Sequence, residues 1–420
     1  MDREDRMMSR FLVGNAVIGQ SGGPTSAINA TLSGVIRGVS ENRADGRIQT
    51  LFGMRNGIEG LLREDLIDLS AFFDSEEKYR LLEQTPAAAL GSCRIKLPEP
   101  DADPAFYERI LRLFEKQNIR YFFYIGGNDS MDTVSKLTKY LQTVSYQMSV
   151  IGIPKTIDND LVGTDHTPGY GSAAKYIAVT IQEILQDCAV YRIPAVTIVE
   201  LMGRDAGWLT AAAALGRRVT GMEPDLIYLP ERVFHPDRFL EDVRAALRWH
   251  PNVVIAVSEG IRFADGHYVG EGRQSGVTDV FGHAYLAGTA KVLESAVKEA
   301  IGCKVRSIEL SLPQRCAAHL ASATDLAESV TIGRVAVLTA MEGITGEMMV
   351  MDRPDAPGYT VTYGHRPIRD IANRVRRMDE EFINAAGNQV TDACVDYLFP
   401  LIQGEPEIRW ANGLPMHLIL

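Results

Sequence analysis

The sequence predicts an α/β protein with two lobes, each built on a doubly wound, mainly parallel sheet. Three observations carry this. At 420 residues the chain exceeds one ordinary hydrophobic core, since a domain takes roughly 150 residues. Short apolar runs alternate with glycine-bearing turns and then with helical periodicity, which is how strand-turn-helix units read in sequence. The chain's polar chemistry also gathers where those runs end, the edge at which open α/β sheets bind ligands.

Taken in order, Ala16-Val17-Ile18 reads as a strand entering Gly19-Gln20-Ser21-Gly22-Gly23-Pro24-Thr25. A helix then follows, with Ile28, Leu32, Val35 and Ile36 on one face. Residues 70–105 carry Pro, Asp and Gly at loop density. Tyr121-Phe122-Phe123-Tyr124-Ile125 is a second strand, entering Gly126-Gly127-Asn128-Asp129-Ser130 and a helix with Met131, Val134, Leu137 and Leu141 inward. A third apolar run, Ser149-Val150-Ile151-Gly152, delivers Ile153-Pro154-Lys155-Thr156-Ile157-Asp158-Asn159-Asp160. Val196-Thr197-Ile198-Val199 leads into Met202-Gly203-Arg204-Asp205-Ala206-Gly207 and an alanine-rich helix over 208–215. Residues 237–249 are amphipathic and helical, and Val253-Val254-Ile255-Ala256-Val257 is a strand ending at Ser258-Glu259-Gly260. The glycine-rich stretch 263–282 reads as a surface loop able to order over ligand, 350–366 as another loop, and the charge mix over 366–381 as the solvated face of a helix.

Composition narrows the function classes. Hydrophobic content of 46% with 23% charged residues is that of a soluble globular protein, and no apolar run approaches the roughly 20 residues of a membrane span. Residues 1–6 alternate charges, unlike a secretory signal, so the expected location is the cytoplasm. The five cysteines, Cys93, Cys188, Cys303, Cys316 and Cys394, are scattered without any C-x-x-C pair, which argues against a disulfide framework or a zinc site. A net charge of −11 opposes nucleic-acid binding. Cations for a phosphate ester must therefore be concentrated locally, and Arg94, Lys155, Arg204, Arg306 and Arg315 all stand in glycine-rich or strand-end contexts.

Each motif has two readings. Gly22-Gly23 lets backbone N–H groups approach a phosphate near a helix N-terminus, or is simply a tight turn. Asp129 or Ser130 faces a metal-phosphate complex or caps the following helix. Arg204, Arg306 and Arg315 are surface ion-pair partners or bidentate phosphate anchors. The balance shifts at Pro154 to Asp160, where two carboxylates and an ammonium share a strand end, an arrangement that wastes burial without a ligand or metal. Phosphoryl transfer needs a base for a hydroxyl and cations for the spreading charge, which makes Asp158 the candidate base and Lys155 the candidate cation. His166, His319 and His365 lack metal-ligand spacing and read as structural.

Taken together, Ser21-Gly22-Gly23, Leu90-Gly91-Ser92-Cys93-Arg94, Gly126 to Ser130, Pro154 to Asp160, Met202 to Gly207, Ser258-Glu259-Gly260 and Gln314-Arg315 resemble the phosphofructokinase family in identity and order, from about residue 14 to 380. The resemblance implies two Rossmann-like lobes. It places a pyrophosphate lobe over 10–169 plus 314–385 and a sugar-phosphate lobe over 170–313 plus 386–420. ATP-dependent members carry glycines where this chain has Asp129 and Lys155. A carboxylate where the nucleotide's α-phosphate would lie adds like-charge repulsion, so the chain resembles the pyrophosphate-dependent branch.

That resemblance implies reversible transfer from pyrophosphate to the 1-hydroxyl of fructose 6-phosphate with Mg²⁺, in glycolysis or gluconeogenesis. Asp158, Lys155, Thr156 and Arg204 would be catalytic, and Gly22, Arg94, Asn128 and Asp129 would surround pyrophosphate. Thr156, Ile157, Asp158, Met202, Gly203, Arg204, Glu259, Arg306 and Arg315 would hold the sugar phosphate, some from a neighbouring subunit of a homodimer or homotetramer. Asn128 and Asp160 would take the metal, with Asn128 replacing the family's usual Asp. Ala195 and Leu312 also depart from the family pattern, leaving sedoheptulose 7-phosphate open as the sugar. The rival readings are an ATP-dependent phosphofructokinase and a non-catalytic regulatory subunit. The intact Thr156-Ile157-Asp158 opposes the second.

Overall fold

In the computed structural model, residues 12–271 and 288–420 are described. Among them eleven strands make two main sheets: β1 (Gly14–Gln20), β2 (Ile48–Met54), β3 (Leu66–Asp68), β4 (Ile119–Gly126), β5 (Ser149–Pro154), β6 (Ala195–Leu201), β7 (Leu226–Tyr228), β8 (Asn252–Ser258), β9 (Lys304–Glu309), β10 (Glu347–Asp352) and β11 (Thr362–Pro367). The first sheet runs β11-β10-β5-β4-β1-β2-β3 and the second β7-β8-β6-β9. All pairs in the second sheet are parallel. In the first, only the outer pairs β2/β3 and β10/β11 are antiparallel.

The apolar runs are explained by burial on both faces, which removes the alternation a half-exposed strand would show. In β4, Tyr121, Phe123 and Ile125 pack with Ile28, Leu32 and Ile332, while Phe122 and Tyr124 pack with Phe114, Met131 and Val134 on the other face. In the second sheet, Val199 and Leu201 of β6 face Ile177, Ile181 and Trp208, while Val196 and Ile198 face Phe239, Val243 and Leu293. The helices Ile28–Glu41 and Ala323–Met341 cross with almost no side chain between them. A Cβ on Gly34 would lie 2.1 Å from the Val330 carbonyl oxygen, and one on Gly333 2.4 Å from that of Thr31.

Several expectations are corrected. Residues 366–381 are not a helix: after β11 the chain makes short 3₁₀ turns at Ile368–Asp370 and Glu380–Phe382, joined by a turn over 371–373 and irregular backbone. This stretch instead binds both lobes through its main chain, and a polar sequence is all that such a task requires. The loop read over 350–366 holds the end of β10 and the start of β11, and the one over 70–105 holds the helix Glu76–Gln84. The alanine-rich segment is α-helical only over Trp208–Ala211 and continues as a 3₁₀ helix to Arg218. Of the stretch 263–282, residues 272–282 lie outside the described residues. The chain's last residues dock on the first sheet's side, where Gln84 Nε2 donates to the Arg409 and Met416 carbonyls and Leu418 and Leu420 join the core beneath β1 and β4.

Candidate active site

Both sheets send the C-terminal ends of their strands into one cleft of about 630 Å³. From the first come Ser21 to Gly23 after β1, Gly127 to Ser130 after β4, and Lys155, Thr156, Asp158 and Asp160 after β5. From the second come Met202, Arg204, Asp205 and Ala206 after β6, Glu259 after β8, and Ser311, Leu312, Gln314 and Arg315 after β9, with Arg94 entering from the loop before β4.

Lys155 Nζ donates to the Gly23 carbonyl at 2.6 Å, and a Cβ on Gly22 would come within 3.3 Å of that ammonium. Gly22 also has φ +77°, a conformation that glycine alone adopts freely. The two glycine-bearing strand ends therefore meet at one point. Burial pulls Lys155 down to about 8, against the pull of Asp158 and Asp160. Arg315 joins this group, since its Nη1 would be 3.2 Å from a Cβ on Gly23. Burial and the nearby Arg94 lower its pKa. Three cations thus converge on one glycine turn, an arrangement that suits a polyanion.

The carboxylates are strained in the opposite sense. Asp158 accepts from Thr156 Oγ1 at Oδ2, 3.3 Å, and burial raises its pKa against the influence of Lys155, Thr156 and Arg204. Burial and the charge of Asp158 raise Asp160 to about 7. Between them Asn159 turns at φ +53°, a conformation Asn tolerates, and its Oδ1 accepts the Thr167 N–H at 3.1 Å. Burial, then Asp158, raises Glu259 to about 8, while the Gly203 N–H donates to it at 3.3 Å.

On the second sheet's side, Gly203 has φ +130°, and its carbonyl accepts the Ser258 hydroxyl. Gly260 packs so tightly that a Cβ there would lie 2.0 Å from the Arg204 carbonyl oxygen. Gln314, buried, accepts the Met202 N–H at 3.1 Å and donates to Ser311 O at 3.0 Å, fixing the β6 and β9 turns to each other.

Of the anticipated residues, Ile157 does not line the cleft, its side chain lying in the second lobe's core. Arg306 stands outside the cleft, with Nη1 3.7 Å from Asp187 Oδ2 beside the exposed Tyr191 and Ile193. Asn128 points its amide at the main chain of 373–374: Nδ2 donates to Arg374 O at 2.8 Å and Oδ1 accepts the Asn373 N–H. This leaves Oδ1 a single lone pair for any metal, a weaker ligand than anticipated. Sequence reasoning missed that strap altogether. Asn373 and Val375 line the cleft, and the Arg376 N–H donates to Asp160 O at 2.7 Å. Met378 N–H and Gly207 N–H both donate to Glu231 Oε1, at 3.1 and 2.9 Å. No motif announces contacts made by backbone.

Among the described residues no three His, Cys, Asp or Glu side chains cluster as a metal cage. Mg²⁺ is commonly held by one or two carboxylates plus substrate phosphates. Asp160, half-buried and destabilised as an anion beside Asp158, fits that pattern.

A two-lobed parallel α/β frame, with buried carboxyl groups and three cations gathered in the cleft between its strand ends, fits a phosphoryl-transfer protein. The phosphofructokinase family profile matches residues 15–339, and the chain belongs to that family. It is similar to pyrophosphate–fructose 6-phosphate 1-phosphotransferases of Methylococcus capsulatus, 40% identical over 408 residues covering 97% of this chain and 96% of that one, and of Halomonas elongata, 41% identical over 403 residues covering 96% and 94%. Among solved structures it resembles a pyrophosphate-dependent phosphofructokinase from Nitrosospira multiformis, with TM-score 0.86 and 37% identity over 97% of this chain and 96% of that one.

Proposed function

We propose that this chain transfers a phosphoryl group reversibly between pyrophosphate and the 1-hydroxyl of fructose 6-phosphate. The observation that carries the reading is the Lys155 ammonium hydrogen-bonded to the Gly23 carbonyl, a cation filling the donor side of a cleft that Asp129 also lines. The activities named for the full-length relatives support the same assignment.

In this reading Asp158 is the base. Thr156 occupies its Oδ2, leaving Oδ1 to take the sugar hydroxyl proton, and a carboxylate whose pKa is raised by burial is better matched to that task than a solvated one. Lys155, Arg94 and Arg315 neutralise the moving phosphoryl group and the departing phosphate. Arg315, on this geometry, serves the junction between donor and sugar. Met202, Gly203, Arg204 and Glu259 hold the sugar. Asp160 would hold Mg²⁺ together with pyrophosphate oxygens, and the ion would supply further charge neutralisation. Asn128 serves mainly to position the strap.

Arg306, outside the cleft among exposed apolar side chains, supports a homo-oligomer in which it completes a neighbour's sugar-phosphate site. Among the described residues no helix is long and apolar enough to cross a membrane, in keeping with a cytoplasmic setting. Parallel assays of fructose 1,6-bisphosphate formation with pyrophosphate and with ATP test the reading. Turnover with pyrophosphate is expected, and turnover with ATP alone would refute it.

A further inference from the structure

A second cavity, of about 240 Å³, is bounded by residues 228–235, the start of the helix Pro236–Trp249 and the turn 385–387, and it shares no lining residue with the cleft. Its basic lining is Arg232 and Arg238 with the imidazole of His235, without a single Asp or Glu. In a chain of net charge −11 a concavity of one positive sign is a local reversal of the surface field, and such sites concentrate anions. The frame beneath is rigid. Tyr228, Phe234 and Phe239 are buried and pack ring against ring at 5.4 to 5.6 Å.

Two nearby carboxylates, Asp242 and Glu380, are already committed. Asp242 accepts from Tyr228 Oη at 2.8 Å and Asn388 Nδ2 at 2.9 Å, and Glu380 pairs with Arg232 from a solvent-exposed position. The side chains of Arg238 and His235 make no hydrogen bond or ion pair among the described residues. An arginine side chain without a partner, a second arginine in a weak exposed pair and an imidazole able to hydrogen-bond are what an incoming phosphate could use.

We propose that this cavity binds a small phosphate-bearing anion separate from the cleft's substrates, and that Arg232 relays its occupancy to the cleft. The relay is contiguous. An anion that draws Arg232 away frees Glu380, two residues beyond Met378. Next to Arg232, Glu231 joins the Met378 N–H to the Gly207 N–H of the sugar loop. From Met378 the strap runs back to Arg376, whose N–H holds the Asp160 carbonyl. Only this relay rests on the proposed function; the binding site does not.

The test is calorimetric titration of the full chain with glycerol 3-phosphate in the presence of saturating fructose 6-phosphate. Wild type is compared with Arg238→Ser combined with His235→Asn, two exposed positions outside the catalytic machinery. A binding step present in wild type and lost in the double variant, with KM for pyrophosphate unchanged, is expected. No binding, or equal binding by both proteins, overturns the site. For the relay, glycerol 3-phosphate should change KM for fructose 6-phosphate several-fold in wild type and not in the double variant; an active enzyme that binds the anion without response overturns it. A wild type inactive with pyrophosphate defeats the functional reading and with it the relay, while the titration still decides the site.

Discussion

The side-chain oxygen of Asn128 accepts the Asn373 N–H at 2.5 Å, and its nitrogen donates to the next carbonyl, Arg374 O. Only an amide satisfies both groups, because a carboxylate would place a lone pair against the carbonyl. The residue after the β4 glycines therefore fastens the 373–378 strap along the first sheet's side of the cleft.

Asn128→Asp should then weaken pyrophosphate binding. Losing one hydrogen bond and opposing a carbonyl costs about 1–3 kcal/mol, so KM for pyrophosphate is expected to rise about tenfold or more with the melting temperature little changed. Steady-state kinetics across a Mg²⁺ titration check this. Tighter Mg²⁺ activation at unchanged KM would mean that the position is a metal ligand instead.

Much of this site was legible in the sequence because its chemistry sits on side chains at strand ends. Gly22, Lys155, Asp158, Arg204 and Glu259 all follow an apolar run, and the cleft forms where those runs end. What stayed hidden depends on backbone or on packing. The strap works through the N–H groups of Asn373, Arg376 and Met378, which any residue but proline could supply. The closeness of Arg315 to Gly23 follows from how the two lobes meet, and a strand-end position says nothing about which lobe's ligand a long side chain reaches.

Stability should depend on pH with a sign set by the site. Asp160, at about 7, and Glu259, at about 8, keep their protons in the folded chain well above the ordinary carboxylate range. Between pH 4 and 8 the folded state thus binds more protons than the unfolded state, and these groups make stability fall as pH rises. Lys155, held down at about 8, acts oppositely: above pH 8 the unfolded chain holds the extra proton, and this contribution recovers toward the ordinary lysine value. Calorimetric melting of the ligand-free protein should show Glu259→Gln flattening the decline between pH 6 and 8. An identical slope in wild type and variant would remove Glu259 from the account.

Gly260→Ala tests the proposed sugar-binding role of the 202–207 turn. Its Cβ would press on the carbonyl oxygens of Arg204 and Gly203 at 2.0 and 2.7 Å, both backbone atoms that cannot swing aside. Overpacking of this kind costs about 1–3 kcal/mol, and the displacement falls on the Arg204 turn. KM for fructose 6-phosphate should rise at least tenfold while KM for pyrophosphate stays within about twofold. Equal damage to both constants would indicate general loosening of the fold.

Donor choice is tested by Asp129→Gly combined with Lys155→Gly. Removing the ammonium deprives the Gly23 carbonyl of its donor and takes away a buried cation beside the two arginines. It also leaves Asp158 and Asp160 without the positive charge that opposes their protonation. Pyrophosphate turnover should fall at least a hundredfold, about 3 kcal/mol of lost transition-state stabilisation. Removing Asp129 eliminates a carboxylate that would repel a nucleotide's α-phosphate, so the double variant should bind ATP measurably where wild type does not. Nucleotide titration by calorimetry, alongside turnover with both donors, reads the two effects separately. If pyrophosphate turnover survives in the variant, the Lys155 ammonium is not the charge that the transferring phosphoryl group depends on.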